Sequence, residues 1–205
     1  MNNALEARRA LTDQEVRGVL HNMPLDSPVL CAALNNFFVS KRVSLGPYQM
    51  RRHYTVKALD SFIKGLERVD FGTGHIGARN EFANAVLHIL TFFSETIQSS
   101  GISYRLRFIP WNQQKSHPHY DNSALTLVRA FLGPGTIIHC GQKVQFTVDS
   151  NSLLILKGTA FPYIGERQAL LHDYPTSETP GSSKAGRIVM VARARRWRPI
   201  DEPII

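Results

Sequence analysis

After Gly101 the chain breaks into a series of short segments: YRLRFIP, LTLVRAFL, VQFTV, LLILKG, ALLHDY and RIVMVARA. Each is short and largely apolar, and turn residues separate them. Strands this short and this numerous bury their apolar faces by packing sheet on sheet, so the pattern predicts a sandwich or a barrel. A long polar loop, SETPGSSKAG from Ser177 to Gly186, divides the last two.

The first hundred residues carry a different period. Val56, Leu59, Phe62, Ile63 and Leu66 recur at helical spacing, as do Phe82, Val86, Ile89, Leu90 and Phe93, with Gly101 beyond them as a stop. Ser27-Pro28 opens a further helix through Leu30, Leu34 and Phe37, with proline in the first turn, where its missing N–H costs nothing. TDQE, Thr12 to Glu15, has capping-box spacing and predicts a helix start ahead of Val16, Val19 and Leu20. His88 falls in a helix and reads as a packed or surface histidine. The glycine-rich DFGTGHIGARN, Asp70 to Asn80, lacks the Gly-Lys-Ser/Thr ending of a phosphate loop and reads as a connection. Helices first and strands later make the fold class α+β. The expected organisation is one domain over 1–205, with 1–100 mainly helical support and 101–198 the β core.

Composition narrows the setting. Of 205 residues 43% are apolar and 20% charged, enough for one domain with a real core. No run approaches a membrane-spanning length, and MNNALEARRALTDQEVRGVL lacks the unbroken apolar stretch of a signal peptide. Cys31 and Cys140 lie far apart, which fits a reducing cytoplasm rather than a disulfide scaffold. The net charge of +8 favours anionic partners. Arg193, Arg195, Arg196 and Arg198 read either as a solvated strand end or as a phosphate-tracking patch. In the second case Trp197 is a stacking surface and nucleic acid a partner.

The segment SHPHYDNSALTLVRAFLGPGT, Ser116 to Thr136, places His117, His119 and Asp121 at every second position. Residues two apart on a strand face the same way, so His119 and Asp121 share one side if the segment is extended. An imidazole nitrogen and a carboxylate oxygen there form two corners of a metal site. One further histidine from a distant strand completes a two-histidine, one-carboxylate triad, the geometry that suits non-haem Fe(II). His172 ends a later apolar run, and Arg187 opens the strand after that. A rival zinc site would draw on His117, His119, His139 and Cys140. Each residue also has a plain structural use: His119 and Asp121 bonded within a turn, His172 exposed before Pro175, Arg187 paired with a carboxylate.

The order His-x-Asp, late histidine, then arginine on the next strand resembles the Fe(II)/2-oxoglutarate-dependent oxygenases over about residues 101 to 196. The resemblance implies N-terminal helices packed against a C-terminal double-stranded β-helix, a cupin-like jelly roll. It implies His119, Asp121 and His172 as iron ligands and Arg187 as the anchor for the distal carboxylate of 2-oxoglutarate. O2 and a further substrate would be the other reactants, in hydroxylation or demethylation. Such oxygenases often carry Ser or Thr two residues after the arginine; here Val189 stands there, and Tyr104 is the candidate to supply the hydroxyl. Phe131 and Phe146 are candidate walls of the pocket. The segments HYDNSALTLVRAFLGPGT, LLILKG and LLHDYP...GRIVMVA also resemble an uncharacterised bacterial family, the domain of unknown function numbered 1826. Two other classes stay open: a cupin-like metal-binding protein without 2-oxoglutarate turnover, favoured by Val189, and a basic nucleic-acid-binding module, favoured by the arginines from Arg193 to Arg198.

Overall fold

The computed structural model describes residues 3–25, 27–40, 48–53, 76–98, 101–109, 117–140, 143–162, 169–176, 186–194 and 197. Three helices are present among them: α1 (Asn3–Thr12), α2 (Pro28–Ser40) and α3 (Ile76–Ile97). Nine strands accompany them: β1 (Gly18–Asn22), β2 (Tyr48–His53), β3 (Ile102–Ile109), β4 (Leu125–Leu132), β5 (Ile137–Cys140), β6 (Lys143–Thr147), β7 (Ser152–Lys157), β8 (His172–Asp173) and β9 (Arg187–Ala194). The architecture is mixed α+β with two antiparallel sheets. The larger runs β1-β7-β4-β9-β3-β2 and the smaller β6-β5-β8.

Side-chain parity divides the large sheet into two faces. Leu125, Leu127, Phe131, Leu153, Ile155, Met190 and Ala192 pack with Leu30, Leu34, Phe82, Val86 and Phe93 of the helices. Val128, Leu154, Leu156 and Val189 point the other way, onto Ile138 and Val148 of the small-sheet region. β4 is therefore buried on both sides along its whole length. The hydrophobic run that marked it carries no alternation for this reason.

The helix expected at Ser27-Pro28 forms, and the Ser27 Oγ accepts the Leu30 amide at 3.1 Å, a side-chain cap. The Phe82–Phe93 period lies on α3, whose Phe82, Val86 and Phe93 are fully buried. Two expectations change. Thr12 ends α1 instead of starting a helix: its Oγ1 donates back to the Arg9 carbonyl at 2.6 Å. Val19 and Leu20 join an edge strand, opposite Ile155 and Leu154 of β7. The open edge of β7 outweighs the local capping signal, a tertiary override of propensity. The connection read over Asp70–Asn80 also ends earlier, because Ile76–Asn80 already belong to α3. β1 and β2 thus come from the first hundred residues, and both are outer strands of the large sheet. The helical period through Val56–Leu66 and most of the loop after Thr176 lie outside the described residues.

Candidate metal centre

The site forms where the small sheet meets the start of β4. His119 and His172 face each other as an isolated antiparallel bridge, the amide of each donating to the carbonyl of the other at 2.9 and 3.1 Å. Asp121 follows two residues after His119, in a turn before β4. That turn lies flat against the end of β7, where the Thr159 amide donates to the Asp121 carbonyl at 2.9 Å. Gly158 allows this approach: a Cβ there would sit 2.5 Å from the Asp121 carbonyl oxygen and still nearer that of Ser123. The glycine ending LLILKG is thus part of the site's support.

Donor atoms of His119, Asp121 and His172 all lie within 4.8 Å of one another. Among the described residues this is the one such grouping of His, Cys, Asp or Glu. Both rings are fixed from behind. His119 Nδ1 donates to the His117 carbonyl at 2.7 Å, and His172 Nδ1 donates to the Leu170 carbonyl at 3.0 Å. In the neutral rings this leaves the Nε2 lone pairs facing inward, the arrangement a metal-ligating histidine requires. His172 Nε2 stands 3.3 Å from Asp121 Oδ2, with both side chains buried. A lone pair and a carboxylate oxygen aimed at each other call for a cation between them, either a proton or a metal ion. Two imidazoles and one carboxylate fit a ferrous ion that keeps its remaining positions open.

The electrostatics agree with this. Burial opposes ionisation of Asp121. The hydrogen bond and charge of His172, the charge of Arg193 and a hydrogen bond from Thr126 outweigh it and hold the pKa at about 2. Desolvation lowers the pKa of His119, with the neighbouring His172 and His117 adding to it against the His117 carbonyl and Asp121. A neutral imidazole is the form that binds a metal.

Arg193 Nη2 donates to Asp121 Oδ1 at 2.5 Å. This guanidinium, one of the four arginines read as a basic patch, orients a carboxylate in the centre. The reading of Trp197 as a stacking surface is corrected. It is buried, with the Arg8 guanidinium 5.0 Å from its ring and Phe161 at 5.6 Å, so it offers no free face to a base. Arg195, Arg196 and Arg198 lie outside the described residues.

Arg187, Val189 and Arg193 share the inner face of β9, with Val189 in the apolar cluster between the sheets. Arg187 is buried at the far end of that face. Its Nε donates to the Pro134 carbonyl at 3.0 Å, while Nη2 is buried without a hydrogen-bond partner. The Gly133-Pro134-Gly135 turn supplies that carbonyl, and Gly133 adopts a φ of 76°, which favours glycine. Burial lowers the Arg187 pKa to about 10, opposed by Tyr174 and reinforced by Arg107, so the group stays charged at neutral pH.

Tyr104 is not its hydroxyl partner. Tyr104 pairs with Ala192 and belongs to the helix-facing core, on the opposite side of the sheet from Arg187. Phe131 also faces the helices, edge-on to Phe82 at 4.9 Å, and Phe146 is exposed; neither walls the site. Of the rival zinc donors, His117 is exposed, with its ring 5.9 Å from that of His119. His139 Nε2 instead lies 3.9 Å from Asp173 Oδ2. The Cys140 side chain lies outside the described residues. A residue the sequence reading passed over is Tyr174, whose hydroxyl lies 3.5 Å from His119 Nε2. The rule that paired His119 with Asp121 points to it, since Tyr174 stands two residues after His172.

Solved structures resemble the fold at low identity. A full-length protein from Neurospora crassa, solved in complex with alpha-KG (2-oxoglutarate), matches with a TM-score of 0.51 and 10% identity, over 94% of this chain and 80% of that one. A protein from Shewanella oneidensis assigned as an oxygenase matches with a TM-score of 0.54 and 9% identity, over 96% of this chain and 87% of that one. The fold is that of these two proteins. No family model matches the sequence and no curated protein matches it, so the resemblance to the domain of unknown function 1826 has no support there. The His119–Asp121–His172 triad supplies a donor set that suits Fe(II).

Proposed function

We propose that this chain is an Fe(II)- and 2-oxoglutarate-dependent oxygenase, a hydroxylase or demethylase, with His119, Asp121 and His172 as the iron ligands. The observation that carries the reading is the pair His172 Nε2 and Asp121 Oδ2, two inward-facing acceptors 3.3 Å apart. When bound, iron and 2-oxoglutarate supply the oxidative decarboxylation that activates O2 against a substrate C–H bond. The chain's own residues position the reactants. Arg193 orients Asp121, and the His117 and Leu170 carbonyls fix the two imidazoles. Arg187 presents a buried N–H at the far end of the same sheet face, suited to the distal carboxylate. The apolar cluster around Val189 and Ile138 keeps that end dry.

In this reading 1–205 form one domain of the cytoplasm, with 1–100 supporting a core over 101–198. No helix among the described residues is long and apolar enough to cross a membrane. The test is an anaerobic titration with Fe(II) and then 2-oxoglutarate, followed by admission of O2 and measurement of succinate. Tight binding of both and slow succinate formation without added substrate are expected. Iron binding with no affinity for 2-oxoglutarate favours a second reading, a cupin-like metal protein. Val189, which puts an apolar side chain beside Arg187, is the feature that favours it.

A further inference from the structure

An arginine that grips a carboxylate through one side of its fork leaves carboxylate lone pairs to be satisfied, and in a buried site each of them needs a donor. Near Arg187 the sequence places Val189, which has none, and Tyr104 lies on the wrong face of the sheet. Tyr174 stands elsewhere. It leaves the small sheet directly after His172, and its ring lies 5.1 Å from that of His119. Its hydroxyl approaches His119 Nε2, the nitrogen that a bound metal would take. The Arg107 guanidinium lies 5.6 Å from the centre of the Tyr174 ring. Arg107 reaches it from β3, opposite Val189, on the face that also carries Arg187.

We infer that Tyr174 is the hydroxyl that shares the distal carboxylate of 2-oxoglutarate with Arg187, its ring held in place by Arg107. The inference rests on the proposed oxygenase reading. Once His119 Nε2 is taken by a metal, the phenol loses that acceptor and needs another. A carboxylate anchored at Arg187 provides it, on the side toward which Arg107 already holds the ring. Tyr174 then contacts the cosubstrate, and Arg107 acts as a positioning residue.

The test is equilibrium binding to the Mn(II)-loaded protein by calorimetry, with two ligands. One is 2-oxoglutarate. The other is 2-oxobutyrate, which keeps the metal-chelating 2-oxo acid and lacks the distal carboxylate. Tyr174→Phe should weaken 2-oxoglutarate by roughly 10- to 100-fold, as expected for a hydrogen bond to a charged group. It should leave 2-oxobutyrate and Mn(II) affinity unchanged. Arg107→Leu should weaken 2-oxoglutarate less, and Arg107→Lys should recover part of that loss through the retained charge. If Tyr174→Phe weakens both ligands equally, the phenol acts at the metal end and the inference fails. It fails also if neither ligand is affected. A wild-type Mn(II) protein that binds no 2-oxoglutarate overturns the oxygenase reading itself, and a result confined to Tyr174→Phe does not.

Discussion

His119 and His172 hold each other by their backbones: each amide donates to the other's carbonyl, and the two rings lie 4.4 Å apart between centroids. The backbone pairing sets the spacing of two donor nitrogens before any metal arrives. A divalent ion should therefore bind without large rearrangement and stabilise the fold. At a free concentration 100 times Kd the gain is about 2.7 kcal/mol, or roughly 5 to 10 °C in Tm for a chain of this size. Chelation should reverse it. His172→Ala and Asp121→Ala should abolish the shift in a thermal melt, and a shift that persists in both would rule this centre out.

Gly158→Ala should damage the centre from behind. The added Cβ meets the carbonyls of Asp121 and Ser123, so the turn must move. The expected cost is about 1 to 3 kcal/mol by urea unfolding, typical of overpacking. Metal affinity should fall with it, because Asp121 rides on that turn. Unchanged stability would show that the turn yields freely.

Arg187→Lys keeps the charge and loses the planar fork. Cosubstrate affinity should fall by about 10- to 150-fold, the equivalent of roughly 1.5 to 3 kcal/mol. Metal affinity should hold, since the ligands are untouched. Calorimetry of the metal-loaded variant separates the two.

Acid should weaken the metal-free protein through Asp121. Its folded pKa of about 2 lies below the ordinary value of 3.8, so the carboxylate contributes stability that is fully present above pH 3.8. The contribution declines as the pH falls toward 2 and is lost below it. The shift corresponds to about 2 kcal/mol. The stability difference between wild type and Asp121→Asn should therefore shrink by that amount between pH 5 and pH 2, measured by urea unfolding. A difference independent of pH would place the stabilisation elsewhere.

The parts of this fold legible in the sequence are those that one strand or one helix decides alone. Leu125–Leu132 and Arg187–Ala194 form strands where their composition indicates, and the Phe82–Phe93 period forms a helix. The triad was legible because two of its members lie two apart and the third ends an apolar run. What the sequence concealed depends on register. Tyr104 and Arg187 fall on opposite faces only because β3 pairs with β9 as Ile109 with Arg187. Arg193 meets Asp121 because Arg193 pairs with Thr126, just beyond the Asp121 turn. β1 was hidden behind Thr12–Glu15, whose local preference gives way to the edge of β7.

β8 is two residues long, and one of them is His172. So short a strand carries little protection of its own, and local opening at such an edge costs far less than global unfolding. The amide of His172 is held by His119, and the amide of His119 by His172. A metal on their rings ties the two together a second time, so that opening the backbone pair requires releasing the ion. The amide protons of the two histidines then serve as gauges of occupancy: exchanging quickly with deuterium in the free protein, slowly in the loaded one.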